Sequence, residues 1–202
     1  MTILAQKYEF ALLVANGQRI YHYMTMRFLY QILMILLAGA CLRSVSAKPN
    51  FVFIIADDCT FRDVGCYGGQ AKTPNIDKLA KEGMQFSRCF QTAPMCSPTR
   101  HNLYTGLYPV KSGAYPNHTF VKDGTKSVVH YLKPKGYRVA LSGKTHINPR
   151  KAFQFEYSTK ANNPDLDKID QLFKECADDK TPFCLFACSN EPHSPWDKGN
   201  LS

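Results

Sequence analysis

The chain has 202 residues, of which 45% are apolar. This length and composition allow one domain with a substantial core and argue against a disordered protein. The net charge of +9, from 25 basic and 16 acidic residues, favours anionic partners, although a solvated basic surface is at least as common an explanation. The sequence lacks the block of like charges that marks a nucleic-acid-binding tail, so we expect no nucleic-acid partner.

The N-terminal part is typical of an export signal preceded by an extension. Residues 1–25 have no clear pattern and are predicted to be an upstream extension or a gene-model artefact. Residues 26–47 combine a basic start, an apolar run and a small-residue cleavage site, which predicts a secretory signal peptide. The run is too short to span a bilayer comfortably, so no stable membrane span is expected. A lipoprotein signal ending at Cys41 is an alternative, but the leucine it requires lies one place too far away.

The cysteine content agrees with export. Eight cysteines in an exported protein suit a disulfide framework, whose pairing stays open. No Cys-x-x-Cys pair occurs in the sequence, so a zinc ribbon is not expected. Cys184 and Cys188 lie in an apolar run and are predicted to be small buried residues. We therefore expect a periplasmic or extracellular protein whose mature part spans residues 48–202.

The first elements of the mature part are a strand and a helix. The unbroken apolar run at 51–56 predicts a strand that is buried on both faces. A helix is predicted over 74–83, with Thr73 as its cap, a proline in its first turn and an apolar stripe along one face. Residues 84–90 are predicted to form a short strand.

The alternation of strands and helices continues to the end of the chain. The predicted elements are a helix from about Pro98 to Gly106, a short helix over 127–133, a strand over 137–141, a helix over 166–176 and a strand over 183–187. This order predicts an α/β fold with a mainly parallel sheet and helices on both faces. In such sheets, functional sites form beyond the carboxyl ends of the strands.

Polar residues follow three of the predicted strands closely, which predicts one shared site. Asp57 and Asp58 follow the first strand, Lys144 and His146 follow a later one, and His193 follows the last. Paired carboxylates offer hard oxygen ligands that suit calcium or magnesium. Taken singly, paired acids more often form a turn or a helix cap, the lysine is more often a surface residue, and each histidine is more often structural.

Cys96 precedes a predicted helix and has two interpretations of its own. At a helix N-terminus its thiol would have a lowered pKa and would act as a nucleophile, although no protease-like signature accompanies it. The alternative is an ordinary loop cysteine. His118 is expected to be structural, and the sequon formed by residues 117–119 matters only in a host that glycosylates exported proteins.

Several short motifs occur together and in a fixed order. They are Lys-Pro-Asn at 48–50, Gly-Cys-Tyr-Gly at 65–68, Thr-Pro-Asn-Ile-Asp at 73–77, Cys-Ser-Pro-Thr-Arg-His-Asn-Leu-Tyr-Thr-Gly at 96–106, Gly-Lys-Thr-His at 143–146 and Pro-His-Ser-Pro at 192–195. In these motifs the chain closely resembles the sulfatases, a formylglycine-dependent family of the alkaline phosphatase-like superfamily. The segment at 143–149 is similar to the heparan N-sulfatase branch, and arylsulfatase-like members are also similar.

The resemblance implies a chemistry centred on Cys96. A formylglycine-generating or anaerobic sulfatase-maturing enzyme would convert this cysteine to formylglycine, whose hydrate has two hydroxyls. One hydroxyl would attack sulfur, and the other would then expel sulfate by re-forming the aldehyde. Asp57 and Asp58 would bind calcium, with the modified residue at position 96 as a further ligand.

The resemblance also implies roles for four residues around that centre. Arg100 would hold the hydrate, and Lys144 would contact the sulfate oxygens. His146 would orient or deprotonate the hydrate, and His193 would contact sulfate or protonate the leaving group. Fixed cations of this kind stabilise the charge that develops during sulfuryl transfer.

The chain departs from the family after His193. Sulfatases supply a second pair of metal ligands, Asp with Asn or His, and a second lysine far downstream, and no Asp-Asn or Asp-His pair follows His193 here. We therefore expect the N-terminal part of a catalytic domain, with a sheet that is incomplete at the C-terminus.

The expected substrate is a sulfated carbohydrate or an aryl-type sulfate. One alternative is a phosphonate monoester or phosphodiester hydrolase that uses the same modified cysteine, because phosphoryl and sulfuryl groups have similar shapes. Another is a non-catalytic remnant that binds sulfated glycans. The intact motif at 96–100 argues against the remnant, and the missing downstream ligands argue for it.

Overall fold

The computed structural model describes residues 26–34, 47–157 and 162–195. Residues 26–34 form helix α1 and belong to a separate unit that ends at Ala47. Most of the predicted signal peptide, the predicted extension and Cys41 lie outside the described residues. Among the helices that are described, none has the length and apolar character needed to cross a membrane.

The second unit, which begins at Lys48, is organised around a parallel sheet. Its strands are β1 (Phe51–Ile55), β2 (Arg138–Gly143), β3 (Glu156–Tyr157) and β4 (Phe183–Cys188), in the spatial order β1-β4-β2-β3. Every pairing between neighbouring strands is parallel. The predicted mainly parallel α/β sheet is therefore confirmed.

Long connections, most of which contain helices, join the strands, because parallel strands need crossover connections. The α-helices of this unit are α2 (Pro74–Glu82), α3 (Cys96–Thr105), α4 (Pro109–Ser112), α5 (Val128–Leu132) and α6 (Leu166–Asp178). Short 3-10 helices occur at Phe61–Asp63, Gly65–Tyr67, Lys133–Lys135 and Arg150–Ala152. Helix α3 begins two residues earlier than predicted, because Pro98 fits within the first turn, where no backbone N–H has an intrahelical partner.

The two faces of the sheet are covered by different helices. On one face, Tyr104 of α3 packs edge-on against Phe155 and Phe186, with ring centroids 5.1 Å and 4.9 Å away. On the other face, Leu172 of α6 packs with Leu185 of β4. The alternation of inward-facing residues along β4 thus builds one core on each side, which confirms helices on both faces.

The prediction that the first strand is buried on both faces is wrong. In β1, Val52 is 50% exposed and Ile54 is 77% exposed. The strand lies at the edge of the described sheet and pairs only with β4, although Phe53 stacks on Phe186. The apolar face of α2 is also exposed at Leu79 in the described part of the chain.

One local prediction between β1 and α3 is also wrong, and a second holds in part, because Thr73 is the N-cap residue of α2 but makes no side-chain cap. Residues 84–90 form no strand. Instead, side chains fasten this segment to the turn at Gly65–Tyr67, because the Tyr67 hydroxyl donates to the carbonyl of Phe86. Thr73 does not cap α2 through its side chain. Its hydroxyl donates to Asp77 and accepts the N–H of Gly65, which ties the helix start to that turn.

The expected disulfide framework is absent from the described residues. All seven cysteines described there are free, and Cys184 and Cys188 are buried as predicted. These two lie four positions apart on one strand, which separates their α-carbons by about 13 Å. A disulfide spans no more than about 7 Å, so β4 keeps both thiols as packing groups.

Replacement of Phe186 by alanine should destabilise the protein by about 3–5 kcal/mol, because it removes a ring that contacts Tyr104, Phe155 and Phe53 in the core. Urea unfolding of the purified protein would measure the loss. Phe120 is 61% exposed, so Phe120→Ala is the matched control and should leave the transition almost unchanged. Equal losses for both variants would contradict this packing of the core.

Candidate active site

The carboxyl ends of β1, β2 and β4 meet at one end of the sheet, and backbone hydrogen bonds hold them together. The N–H of Ser189, just after β4, donates to the carbonyl of Ile55 at 2.8 Å. The N–H of Lys144, just after β2, donates to the carbonyl of Cys188 at 2.9 Å. The predicted convergence of the polar residues that follow these strands is therefore confirmed for the first residues of each loop.

Gly143 allows the close approach at the end of β2. Its φ is +96°, and a β-carbon added there would lie 2.0 Å from the carbonyl oxygen of Cys188. Any other residue would clash with the neighbouring strand or strain the backbone. The glycine therefore lets the chain turn directly from the strand into the segment that carries Lys144 and His146.

A buried ion cluster lies beneath this end of the sheet. Asp57 is 4% exposed and Arg100 is 2% exposed. An Arg100 amino group donates to Asp57 Oδ1 at 2.8 Å, and the Lys144 ammonium group donates to Asp57 Oδ2. The other Arg100 amino group donates to the carbonyl of Lys144 at 3.0 Å. Three of the predicted site residues are thus brought together around one carboxylate.

The cations around Asp57 keep it ionised. Burial raises the pKa of the Asp57 carboxyl, but the hydrogen bonds and positive charges of Arg100 and Lys144 outweigh that effect and hold the pKa below its usual range. A buried charge is tolerated only when it is paired and hydrogen-bonded in this way. The cluster is therefore a fixed arrangement of one anion and two cations.

Asp58 and His193 lie beside the buried cluster. Asp58 Oδ2 is 3.6 Å from His193 Nε2, and ligand atoms of Asp57, Asp58 and His193 all lie within 4.8 Å of one another. The N–H of Asp57 donates to the carbonyl of Glu191 at 3.1 Å, which brings the loop after β4 to this position. The sequence predicted Asp57, Asp58 and Cys96 as metal ligands, whereas His193 was expected to contact sulfate.

A cleft of about 330 Å³ joins the carboxylates to the start of helix α3. Its walls include Asp57, Asp58, Cys96 and Arg100. Carboxylate oxygens are the donors that calcium prefers, and the buried Arg100 adds a fixed positive charge to the wall of the same cleft. The residues present therefore fit a hard divalent cation held next to position 96.

Cys96 and His146 form the centre of a second group of contacts. The Cys96 Sγ lies 3.2 Å from His146 Nδ1. The other ring nitrogen of His146, Nε2, lies 2.7 Å from His118 Nδ1. Cys96 and Arg100 are four residues apart in α3 and so lie on one helix face. Helix α3 thus presents Cys96 to His146 and Arg100 to the carboxylate of Asp57.

The sequence analysis missed Asn117 and His118. Asn117 Oδ1 accepts the backbone N–H of Ser97 at 3.3 Å and lies 3.8 Å from Cys96 Sγ. The sequence showed these two residues only as part of a glycosylation sequon, with the histidine expected to be structural. No spacing or motif connects them to Cys96, because only the folded loop brings them to the start of α3.

Three residues of this region have left-handed backbone conformations. The φ angles are 56° for Asp58, 63° for His118 and 44° for His146. Non-glycine residues rarely adopt positive φ, and strained backbone that is held in place by its surroundings often marks functional sites. The strained positions here all carry side chains that face the cleft residues or one another.

The His146 ring is neutral at physiological pH. Burial lowers the pKa of this imidazole to about 4, and the nearby His118, Lys144 and Arg100 reinforce the shift. A neutral imidazole has one N–H and one free lone pair, so it can take up a proton. His146 therefore has the protonation state that a general base requires.

Comparison with known proteins shows what this chain is similar to. A family model described as Sulfatase matches residues 49–201. Over 159 residues the chain is 38% identical to the ulvan-active sulfatase of Formosa agariphila, and the match covers 76% of this chain and 32% of that protein.

Solved structures show the same fold. The putative sulfatase YidJ of Bacteroides fragilis gives a TM-score of 0.64 at 24% identity, covering 75% of this chain and 46% of that one. A protein solved in complex with its substrate D-glucosamine-2-N,6-O-disulfate gives a TM-score of 0.61 at 24% identity. That match covers 74% of this chain and 35% of the other. The expected alkaline phosphatase-like fold is thus confirmed, and the chain spans about a third to a half of the length of these proteins.

Replacement of Asp57 by asparagine should destabilise the protein by about 3–5 kcal/mol, because it leaves the buried Arg100 without its counter-charge. Urea unfolding at pH 7 would measure the loss. In the unsubstituted protein the lowered pKa of Asp57 means that this stabilisation is complete above the unfolded-state pKa and is lost as the pH falls through the folded-state value. The exposed pair of Asp123 and Lys151 supplies the control, since Asp123→Asn should change little.

Histidine NMR should show that His146 titrates with a midpoint near pH 4 in the folded protein. In urea the same residue should titrate near its ordinary value of about 6.5. Because the unfolded state then binds the proton more tightly, this residue should disfavour folding as the pH falls between these two values. A folded-state midpoint at or above 6.5 would show that the ring is not shielded as the structure indicates.

Proposed function

Because the chain belongs to the sulfatase family, we propose that the protein hydrolyses sulfate esters with a formylglycine made from Cys96. The observation that carries this proposal is the contact between Cys96 and the neutral His146, next to the buried Arg100. A nucleophile, a base and a fixed cation are what sulfuryl transfer needs in one place. The activity is proposed for the whole protein, since the chain spans about a third of the length of its curated relative.

Each polar residue of the site has a proposed task that its contacts support. Arg100 is held rigid by Asp57 and balances negative charge near position 96. The ammonium group of Lys144 contacts the same Asp57 carboxylate, and it is proposed to contact the sulfate oxygens. Fixed cations lower the energy of an anionic transition state because they need no reorganisation during the reaction.

The two histidines are proposed to move protons. His146 Nδ1 faces position 96 and would accept the proton of the attacking hydroxyl. His193 is half-buried beside Asp58, where it would contact sulfate or protonate the leaving group. The two rings approach the site from the loops after β2 and β4, so they can act on different atoms of the substrate.

Calcium is the proposed metal. Asp57 and Asp58, with the modified residue at position 96, would hold the ion, and His193 lies close enough to contribute. When bound there, calcium would supply positive charge that favours an ionised nucleophile. The donor set supports a hard cation, because its carboxylate oxygens suit calcium better than zinc.

The proposed substrate class is a sulfated carbohydrate. The named substrate of one structural relative is a disulfated glucosamine, and a curated relative is described as ulvan-active. The net charge of +9 would attract such polyanions. We further propose export of the protein, with the N-terminal segment as its signal, and a formylglycine-generating or anaerobic maturing enzyme as its partner.

The test combines mass spectrometry with activity assays on the full-length protein co-expressed with a maturation enzyme. We expect the peptide that contains Cys96 to carry an aldehyde in place of the thiol. Cys96→Ala should lower kcat on sulfated carbohydrates or aryl sulfates by a factor on the order of 10⁴ or more, because the nucleophile is lost. Removal of calcium with a chelator should also abolish activity.

The matched control is Cys59→Ala, since Cys59 lines the same cleft and its thiol donates to the carbonyl of the adjacent Thr60. It should retain aldehyde formation and activity. Faster cleavage of phosphonate monoesters or phosphodiesters than of sulfate esters would replace the proposal with the phosphoryl alternative. An unmodified thiol together with glycan binding and no turnover would instead indicate a binding protein.

A further inference from the structure

The loop between α4 and α5 contacts both members of the pair formed by Cys96 and His146. Within this loop, Asn117 reaches the backbone at the start of α3, and His118 reaches the far side of the His146 ring. Neither residue has a part in the proposed chemistry above. Asn117 and His118 thus contact opposite sides of the pair. These contacts point to a role in holding Cys96 and His146 in place.

The His146 ring has a definite orientation. Its Nδ1 lies 3.2 Å from Cys96 Sγ, and its Nε2 lies 2.7 Å from His118 Nδ1. A neutral imidazole carries one proton, so only one of its two nitrogens can accept a hydrogen bond. The proton of His146 is therefore either on the nitrogen that faces position 96 or on the nitrogen that faces His118.

These two tautomers differ in their chemical capacity. With the proton on Nδ1, His146 presents a donor to position 96 and cannot take up a proton there. With the proton on Nε2, it donates to His118 and presents a lone pair to position 96. A neighbour that selects the tautomer of a catalytic histidine can control the rate without touching the substrate.

We propose that His118 is a positioning residue that holds His146 in the tautomer with a free lone pair facing position 96. In this arrangement His118 Nδ1 accepts the N–H from His146 Nε2, at the observed 2.7 Å. His118 is an exposed residue, so water can accept the proton on its other nitrogen. The role of the Nδ1 lone pair as a proton acceptor rests on the proposed function. The assignment of the His146 tautomer does not depend on that function.

The backbone of the loop supports this assignment. His118 has a φ of 63°, a conformation that is uncommon for any residue other than glycine. The preceding residue anchors the loop, because Asn117 Oδ1 accepts the N–H of Ser97 at 3.3 Å. That bond caps the start of α3, where Met95 provides no side-chain cap. The same loop thus fixes the helix that carries Cys96 and the ring that faces it.

The left-handed conformation at position 118 dictates the variants. Asparagine and glycine both tolerate positive φ, whereas alanine would keep the strain of a β-carbon without offering a polar group. His118→Asn places an amide oxygen near the position of Nδ1 and can still accept from His146 Nε2. His118→Gly removes the acceptor without straining the backbone. Comparison of the two variants therefore distinguishes the effect of losing the hydrogen bond from the effect of changing the residue in the loop. Both variants keep Asn117 and Thr119 unchanged.

The first readout is the tautomer, measured by ¹⁵N NMR of the histidine rings in the full-length protein at neutral pH. We expect the Nδ1 signal of His146 to be that of an unprotonated nitrogen in the unsubstituted protein and in His118→Asn. In His118→Gly the signal should move towards the average of the two tautomers. A protonated Nδ1 in the unsubstituted protein, or no change in His118→Gly, would overturn the proposal.

The second readout is turnover of a sulfate ester by the matured protein. His118→Gly should lower kcat by about tenfold to a hundredfold, the usual effect of losing a residue that orients a site ligand, and should leave KM nearly unchanged. His118→Asn should recover most of the loss. Equal losses in both variants would contradict the assigned role. Absence of turnover in the unsubstituted protein would reject the proposed function, and the NMR result would still decide the tautomer.

Discussion

The buried carboxylate of Asp57 is the interaction on which the site depends. It binds Arg100 from helix α3 and Lys144 from the loop after β2, while its own backbone N–H donates to Glu191 in the loop after β4. Each ion buried in this way costs several kcal/mol of desolvation, which only close pairing can offset. Three segments that are distant in sequence therefore have one low-energy arrangement at this end of the sheet.

Much of the fold could be predicted because it follows from local patterns. The apolar runs that became β1 and β4, and the helical spacing that became α6, specify elements locally, and their alternation along the chain favours a parallel sheet. The clustering of Asp57 with Lys144 followed from the same rule, since both come directly after strands. The exposure of β1 did not follow, because burial depends on what packs against a strand and not on its own residues.

The missed parts of the site depend on tertiary contacts of loops. His118 belongs to a segment without periodicity, and its partner His146 lies 28 residues further along. The segment at 84–90 has the composition of a strand, but side-chain hydrogen bonds fasten it to a neighbouring turn instead: the Tyr67 hydroxyl donates to the carbonyl of Phe86, and the Gln85 amide donates to the carbonyl of Cys66. In both cases the deciding interaction involves residues that no short-range pattern connects, so a single sequence cannot reveal it.

The site residues hold one another in place, which explains why strained backbone is tolerated here. Arg100 and Lys144 are held by Asp57, and His146 is held by His118. Positive φ at three positions costs free energy and persists only where the surroundings hold it, here through contacts of Asp58 with His193 and of His118 with His146. Because α3 contributes both Cys96 and Arg100, a shift of that helix would disturb the histidine contact and the ion cluster together. The chemistry proposed for position 96 would therefore depend on the stability of the buried charges.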